Sequence, residues 1–418
     1  MVQSAPKIDM LAGIECYCTD FSGIGGSIKQ SSSDFEVSEM VQESLLQGIS
    51  PVYDERHRYP LYILEKENID SNHALIEIQR KLGITLKVMG IKDAKAVTRQ
   101  YASLTKAARY APRQATTDHA RIELVGFTTR PIDKMHLAGN QFRIAIHDPV
   151  STDIASFVPQ INNIGNFYGL QRFGSERLVT HLVGREIVKR NFDMAVELLL
   201  SYTTEYDTPA SKEIRNKSAD PKNYPYLVRR LPKGMDIEYH VMSALAAGRD
   251  AISALRAIPI TIRRLFVQAY QAYIFNRCLS IAIEAGENLV KAQPNDLCFE
   301  MEGPVTFGRI IKFDPASKHD MVPAVRMAGY TFQPGKGRFE TITKKILDKE
   351  GVVAKDFYIK QMQELSQQGG FRQAPLWCRD FAFSRTPVVV SFRLPKGSYA
   401  TTLLRELMKP RDPIRSGF

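Results

Sequence analysis

Long apolar runs, paired cysteines and internal repeats are all missing from this chain. No stretch approaches the ~18 uninterrupted apolar residues of a membrane span, so no membrane-spanning segment is expected. The cysteines are Cys16, Cys18, Cys278, Cys298 and Cys378. That odd, scattered set argues against a disulfide framework and fits a reducing cytoplasm. Cys16 and Cys18 lack a second pair at zinc-finger spacing, and a closed structural site normally needs four ligands, so no metal is expected. The start, MVQSAPKIDM, has no basic segment followed by an apolar core, which argues against a secretory leader. Gly335-Lys336-Gly337-Arg338 is a basic glycine turn without the spacing of a phosphate-binding P-loop.

What is present describes a soluble globular chain. Its 418 residues are 44% hydrophobic and 24% charged, with a mean hydropathy of -0.23. The length calls for two or three domains. A formal charge of +11 favours a polyanionic partner. The excess is uneven: residues 1–50 hold two lysines against seven acids, a balance of -5, which leaves +16 to the remainder.

Periodicity places the first elements. Asp34 to Met40 alternates, with Phe35, Val37 and Glu39 on one face, which predicts a half-buried strand. Pro60–Glu65 is a second strand, and Ser71 to Gly83 is a helix with a polar cap and a terminal glycine. Strand character returns at Val88 and Met89, turns at Gly90 and gives way to a helix near Ala94. Further strands and short helices lead to a strand at Phe142–Ile146. Long helices are predicted over 185–201 and 261–285, the second with Leu265, Phe266, Ala269, Tyr273 and Ile274 at core spacing. Ser211 to Lys233 is a basic surface loop, either a solvated connection or a contact for an RNA backbone. Near the end, Ser398 is the expected cap of a helix that stops before Pro410.

Two segments carry chemistry. From Arg80 to Thr117 the only acid is Asp93, among Arg80, Lys81, Lys87, Lys92, Lys95, Arg99, Lys106, Arg109 and Arg113. Nearby cations favour the charged form of a carboxylate. In a cleft, Asp93 would be a nucleophile or base inside a polyanion-binding surface; on an open surface, it would be half of an ordinary ion pair with Lys92 or Lys95. The second segment, Gly165-Asn166-Phe167-Tyr168-Gly169-Leu170-Gln171-Arg172-Phe173-Gly174, brackets aromatics and amides with glycines. It suits either the grip on an unstacked base or a loop packed against a sheet.

Six blocks in one order now resemble the TruD family of tRNA pseudouridine synthases. They are Ile28-Lys29 with Asp34-Phe35-Glu36-Val37-Ser38-Glu39; Gly90-Ile91-Lys92-Asp93-Ala94-Lys95-Ala96-Val97-Thr98-Arg99-Gln100; Gly139-Asn140-Gln141-Phe142; Asn166 to Gly174; Ala269-Tyr270-Gln271-Ala272-Tyr273-Ile274-Phe275-Asn276; and Tyr399-Ala400-Thr401-Thr402-Leu403-Leu404-Arg405-Glu406-Leu407. The sequence departs from the family pattern at Ser32-Ser33, Ala94 and Gly165, which bears on loop geometry. The resemblance implies an α+β fold: a pseudouridine synthase core with a mixed, largely antiparallel sheet, built from residues 1–179 and 373–418, plus an inserted α/β TRUD domain over 180–372. It implies a tRNA substrate modified at position 13, no cofactor and a cytoplasmic enzyme, with no membrane and no obligatory protein partner.

The resemblance makes Asp93 the catalytic residue. Lys92 is then the cation that keeps it charged, Tyr168 stacks on the flipped uracil, Asn166 holds the turn or the base edge, and Phe35 packs beneath the aspartate loop. Lys29, Lys95, Arg99 and Arg172 are expected to contact RNA, whereas Arg405 is structural. Two other readings compete: a non-catalytic RNA-binding or RNA-folding protein, and a methyltransferase built on the Gly23–Gly26 cluster.

Overall fold

The computed structural model describes residues 3–418 apart from 233, 304 and 319, so Lys233 of the basic stretch lies outside the described residues. Seven strands come first: β1 (Phe35–Val41), β2 (Tyr59–Glu67), β3 (Leu86–Val88), β4 (Val97–Leu104), β5 (Gln114–Thr116), β6 (Ala120–Thr128) and β7 (Leu137–Ala145). Four more, β8 (Leu297–Met301), β9 (Phe307–Lys312), β10 (Met321–Met327) and β11 (Gly370–Gln373), precede the last two, β12 (Arg379–Arg385) and β13 (Val388–Pro395). The larger sheet runs β12-β13-β7-β1-β4-β2-β6-β5, with β3 on β4; the smaller runs β11-β10-β8-β9. Among the described residues only β1 and β4 pair in parallel, so the mixed, largely antiparallel sheet expected of the α+β class is present.

The alternation of β1 does what its sequence predicts: Phe35, Val37 and Glu39 turn inward. Val37 sits opposite Phe142 of β7, and Phe142 sits opposite Phe392 of β13 with the rings stacked 5.4 Å apart. Chain segments 250 residues apart in sequence thus form one aromatic core layer.

Three short or medium helices lie among the first strands and their approach: α1 (Lys7–Leu11), α2 (Glu43–Gln47) and α3 (Ser71–Leu82). In α3 the cap is Asp70, whose carboxylate accepts from the N–H groups of Asn72 and His73, and Gly83 ends the helix at φ 68°. No helix forms near Ala94. Gly90 to Ala96 instead runs as an irregular loop, tied down by the hydrogen bonds of Lys92 N to Ser71 and of Lys66 to the Asp93 carbonyl, and enters β4 at Val97.

A helical layer follows: α4 (Thr180–Val188), α5 (Phe192–Ser201), α6 (Pro209–Lys217), α7 (Tyr224–Leu227), α8 (Asp236–Ala246), α9 (Ala251–Arg256) and α10 (Ile260–Glu284). The expected helix over 185–201 is therefore two. Arg190 adopts φ 66° between them, and its guanidinium binds the carbonyls of Asp356 and Tyr358 at 2.7 and 2.8 Å. The basic stretch is also more ordered than expected. Thr208 caps α6 with Pro209 in its first turn, and Arg215 is buried against Asp207 and Glu238 at 3.1 and 3.0 Å. Lys212, Lys222, Arg229 and Arg230 remain exposed.

The helix over 261–285 is found as α10, with Phe266, Ala269 and Ile274 buried, but Leu265 is 43% exposed. The basic glycine turn leads into α11 (Arg338–Glu350), where Arg338 binds Glu287 and Asp296 at 2.9 and 3.1 Å. The final helix, α12 (Ala400–Met408), is capped by the Tyr399 backbone. Ser398 lies one residue too early, and its buried hydroxyl has no hydrogen-bond partner among the described residues. None of these helices is long and apolar enough to cross a membrane.

A buried ion cluster joins the two ends of the chain. Arg405 of α12 lies 2.6 Å from Asp9 of α1 and 3.0 Å from Glu406, with its guanidinium 4.1 Å from the Tyr17 ring centroid. The structural role expected of Arg405 is what its contacts describe. Burial raises the Asp9 pKa even though Arg405 opposes the shift. Replacing Arg405 with Ala leaves two carboxylates in the core without their cation, so the variant should lose about 3 to 5 kcal/mol of stability. A urea midpoint equal to that of the parent would contradict this assignment.

Candidate active site

The Asp93 loop is held from below. Lys66 of β2 shares the inward phase of Tyr62 and Leu64 and is 2% exposed. Its Nζ donates to the Asp93 carbonyl at 2.8 Å and to that of Ile69 at 2.7 Å. Ser71 Oγ accepts from Lys92 N at 2.9 Å and donates to Gln100 Oε1 at 2.9 Å. Gln100 Nε2 reaches the Gly90 carbonyl at 3.3 Å. The backbone is thereby fixed while the Asp93 side chain stays exposed, an arrangement suited to presenting a reactive carboxylate.

Lys92 is not the direct partner expected for Asp93. Its Nζ is 2.6 Å from Glu39 Oε1, because the alternation of β1 carries Glu39 inward, where burial raises its pKa against the pull of Lys92. The cations that act on Asp93 include Lys29 and Lys66. Burial pushes the Lys66 ammonium from the ordinary 10.5 down to about 8, with Asp93 and Asp70 opposing the shift. Burial also lowers Lys29, with Asp93 opposing and Lys95 reinforcing. Lys29 Nζ lies 4.7 Å from the centroid of the Phe35 ring. Phe35 is buried in the same apolar cluster as Ala96, at the exit of the aspartate loop. Arg99 is exposed on β4, 3.6 Å from Glu65.

The Tyr168 turn is a second built unit. Asn276 of α10 accepts from Tyr168 N at 2.8 Å and donates to the Tyr168 carbonyl at 3.0 Å. Arg372 of β11 places its guanidinium 3.9 Å from the Tyr168 ring centroid. The same guanidinium binds the Asn166 carbonyl at 2.9 Å and Asn166 Oδ1 at 3.1 Å. Asn166 is 1% exposed, so of its two expected roles the geometry supports holding the turn. Arg172 sits 5.5 Å from the Tyr168 ring, and the Tyr399 ring is 6.0 Å away.

Between the ends of the larger sheet and strands β8 and β9 lies a cavity of about 310 Å³, lined in part by Leu137, Tyr168, Phe307, Arg372 and Lys396. Leu137 ties it to the aspartate loop, since a Cβ placed on Gly90 would lie 3.8 Å from Leu137 Cδ2. A neighbouring cavity of about 660 Å³ continues along Gln42, Ala138 and Thr306 toward Arg379 and Arg393. Arg372 and Lys396 stand at one end of these cavities and Arg379 and Arg393 at the other.

The chain is similar to known proteins over nearly its whole length. The family profile described as tRNA pseudouridine synthase D (TruD) matches residues 11–407. The chain belongs to the TruD family. A Pyrobaculum arsenaticum protein named probable tRNA pseudouridine synthase D is 30% identical over all of both chains. One of the same name from Methanopyrus kandleri is 32% identical over 89% of this chain and 91% of its own. The crystal structure of the Methanosarcina mazei protein named as TruD superposes with a TM-score of 0.78 at 26% identity, covering 98% of this chain and 99% of that one.

TruD membership leaves the methyltransferase reading without support, and the glycine cluster shows why. Gly23, Gly25 and Gly26 have φ of 87°, 65° and 89°, and the N–H groups of Ile24 and Gly25 donate to the Leu407 and Met408 carbonyls at 3.0 and 2.9 Å. The turn is stitched to the end of α12 and has those amides occupied. Among the described residues the group Glu77, Asp118 and His119 has metal-ligand types close together, but Lys81 already pairs with two of them. Neither Cys16 nor Cys18 belongs to it. Burial pushes the Cys16 thiol up to about 12, which makes it a poor nucleophile.

Lys66 and Arg372 were not singled out from sequence. For Lys66 the signal existed, a lysine in the buried phase of a strand. Its titration gives a test. The charged form prevails below pH 8 and is lost above it, so kcat/KM should fall as pH rises through about 8. In Lys66→Arg, whose guanidinium stays charged, that decline should move to higher pH. Unfolding cannot mimic it: a lysine depressed on folding makes the fold more stable, not less, between about 8 and 10.5. Coincident profiles for the two proteins would remove Lys66 from the activity.

Proposed function

We propose that this chain converts a uridine of tRNA, at position 13, to pseudouridine, and that Asp93 carries the chemistry. The supporting observation is a single exposed carboxylate on a loop whose backbone is fixed by Lys66, Ser71 and Gln100 and whose charge faces Lys29 and Lys66. The reaction breaks the N1–C1′ bond, turns the uracil and joins C5 to C1′. No redox change or group donor enters, so the chemistry requires no cofactor. The Asp93 carboxylate acts at the sugar, where attack on C1′ or removal of a sugar proton both require it beside the anomeric carbon.

The core, residues 1–179 and 373–418, supplies Asp93 and Tyr168, and residues 180–372 form the insert that closes the cleft. Extruding the uridine costs a few kcal/mol, offset by stacking on Tyr168 and by phosphate contacts from Lys29, Lys95, Arg99 and Arg172. The cytoplasmic tRNA pool is the natural substrate, and no obligatory protein partner enters this scheme. Arg372 lies against the Tyr168 ring at 3.9 Å, and the ring lines the cavity of about 310 Å³ in which the base is placed.

Asp93→Asn should fold and bind RNA like the parent while forming no pseudouridine, as measured by carbodiimide primer extension. Turnover within tenfold of the parent would move the chemistry elsewhere. Tyr168→Phe should lose little, whereas Tyr168→Ala should lose ~1 to 3 kcal/mol of base stacking, seen as a fall of about tenfold or more in kcat/KM. Equal activity in all three proteins would take Tyr168 out of the site.

A further inference from the structure

A third cavity, about 290 Å³, adjoins the Tyr168 turn. Its walls include Gln171, Arg172, Ile237, Ile262, Leu265 and Tyr399. Tyr399 stands 6.0 Å from Tyr168, so an aromatic pair divides this cavity from the one that Tyr168 lines.

Three observations describe what would fill it. Leu265 occupies a core position in the apolar pattern of α10 yet is 43% exposed; together with Ile237 and Ile262 it makes an apolar floor to the cavity. Gln171 and Arg172 line the same cavity, and Arg172 Nε is buried without a hydrogen-bond partner among the described residues. The amide and guanidinium come from the very turn that carries Tyr168. An apolar floor, an aromatic wall, an amide and a cation suit a planar heterocycle joined to a phosphate.

We propose that this cavity seats the base of the nucleotide adjacent to the target uridine. Gln171 meets the base edge, Arg172 meets the phosphate between the two nucleotides, and Leu265 and Tyr399 enclose the ring. The inference rests on the proposed reaction and adds a specificity site to it: the enzyme grips two splayed bases, one on each side of the Tyr168–Tyr399 pair. Discrimination among RNAs would then arise beside the reacting base as well as along the phosphate chain.

The test uses an RNA stem–loop with the target uridine and, on its 5′ or 3′ side, a normal base or an abasic residue. The parent enzyme should lose about tenfold in kcat/KM when one of the two neighbours is abasic, the scale of one lost stacking contact. In Leu265→Glu, which puts a carboxylate in the seat, base and abasic RNA should differ by less than about twofold. Gln171→Ala should likewise shrink the difference, and it disturbs no buried apolar contact. Parent-like discrimination in Leu265→Glu, with an unchanged melting transition, would overturn the proposal. So would a parent indifferent to both abasic neighbours. If no RNA yields pseudouridine, the reaction has failed separately, and the Kd of the same RNAs for Asp93→Asn, with and without Leu265→Glu, gives the same two outcomes for the cavity.

Discussion

Lys66 carries its ammonium into the interior of the larger sheet and donates to two backbone carbonyls there, one of them that of Asp93. Burying a cation is unfavourable unless its hydrogen bonds and nearby charges offset the lost hydration. Here the offset comes from Asp93 and Asp70. The cation in turn determines where the Asp93 backbone lies. Ser71 and Gln100 complete the frame, so the exposed Asp93 side chain stands on a loop whose backbone is hydrogen-bonded at several points. The same solution recurs at the Tyr168 turn, where buried Arg372 holds the carbonyl and side chain of Asn166 and lies against Tyr168. Two interior cations thus hold the backbones of the Asp93 loop and the Tyr168 turn.

The sheet makes that placement possible. Parallel pairing of β1 with β4 brings Glu39 close to Tyr101, whose N–H donates to it at 3.0 Å, and so puts Glu39 where Lys92 can reach. β7 and β13 extend the same sheet, so Leu394 and the turn before α12 reach the Tyr168 side. The chain end is anchored by the Arg405 cluster and by the Glu406 carboxylate, which accepts from the N–H groups of Cys18 and Thr19. Tyr399 owes its position to that anchor. β-sheet register and one buried ion cluster therefore set the positions of Asp93 and Tyr399, which lie 306 residues apart in sequence.

Much of this was legible from residue patterns. Strict alternation in β1 placed Phe35, Val37 and Glu39, and the capped amphipathic stretch from Ser71 gave α3. The lone acid in a basic run singled out Asp93, and the order of six blocks gave the family. Other features depend on partners that sequence does not reveal. Lys92 is adjacent to Asp93 in sequence but turns to Glu39, which arrives from another strand. The break at Arg190 needs the carbonyls of Asp356 and Tyr358, and the burial of Arg215 needs Glu238. Arg372 follows two glycines and a phenylalanine and carries no local mark of its role. Leu265 shows the converse: its spacing was that of a core residue, but no element covers it.

Position and chemistry meet in one product. The most direct measurement is carbodiimide mapping of an unmodified tRNA transcript after incubation with the purified protein. The expected result is a single pseudouridine stop, at position 13, formed without any added cofactor. A transcript that binds the protein and keeps every uridine unchanged would contradict the account at its centre.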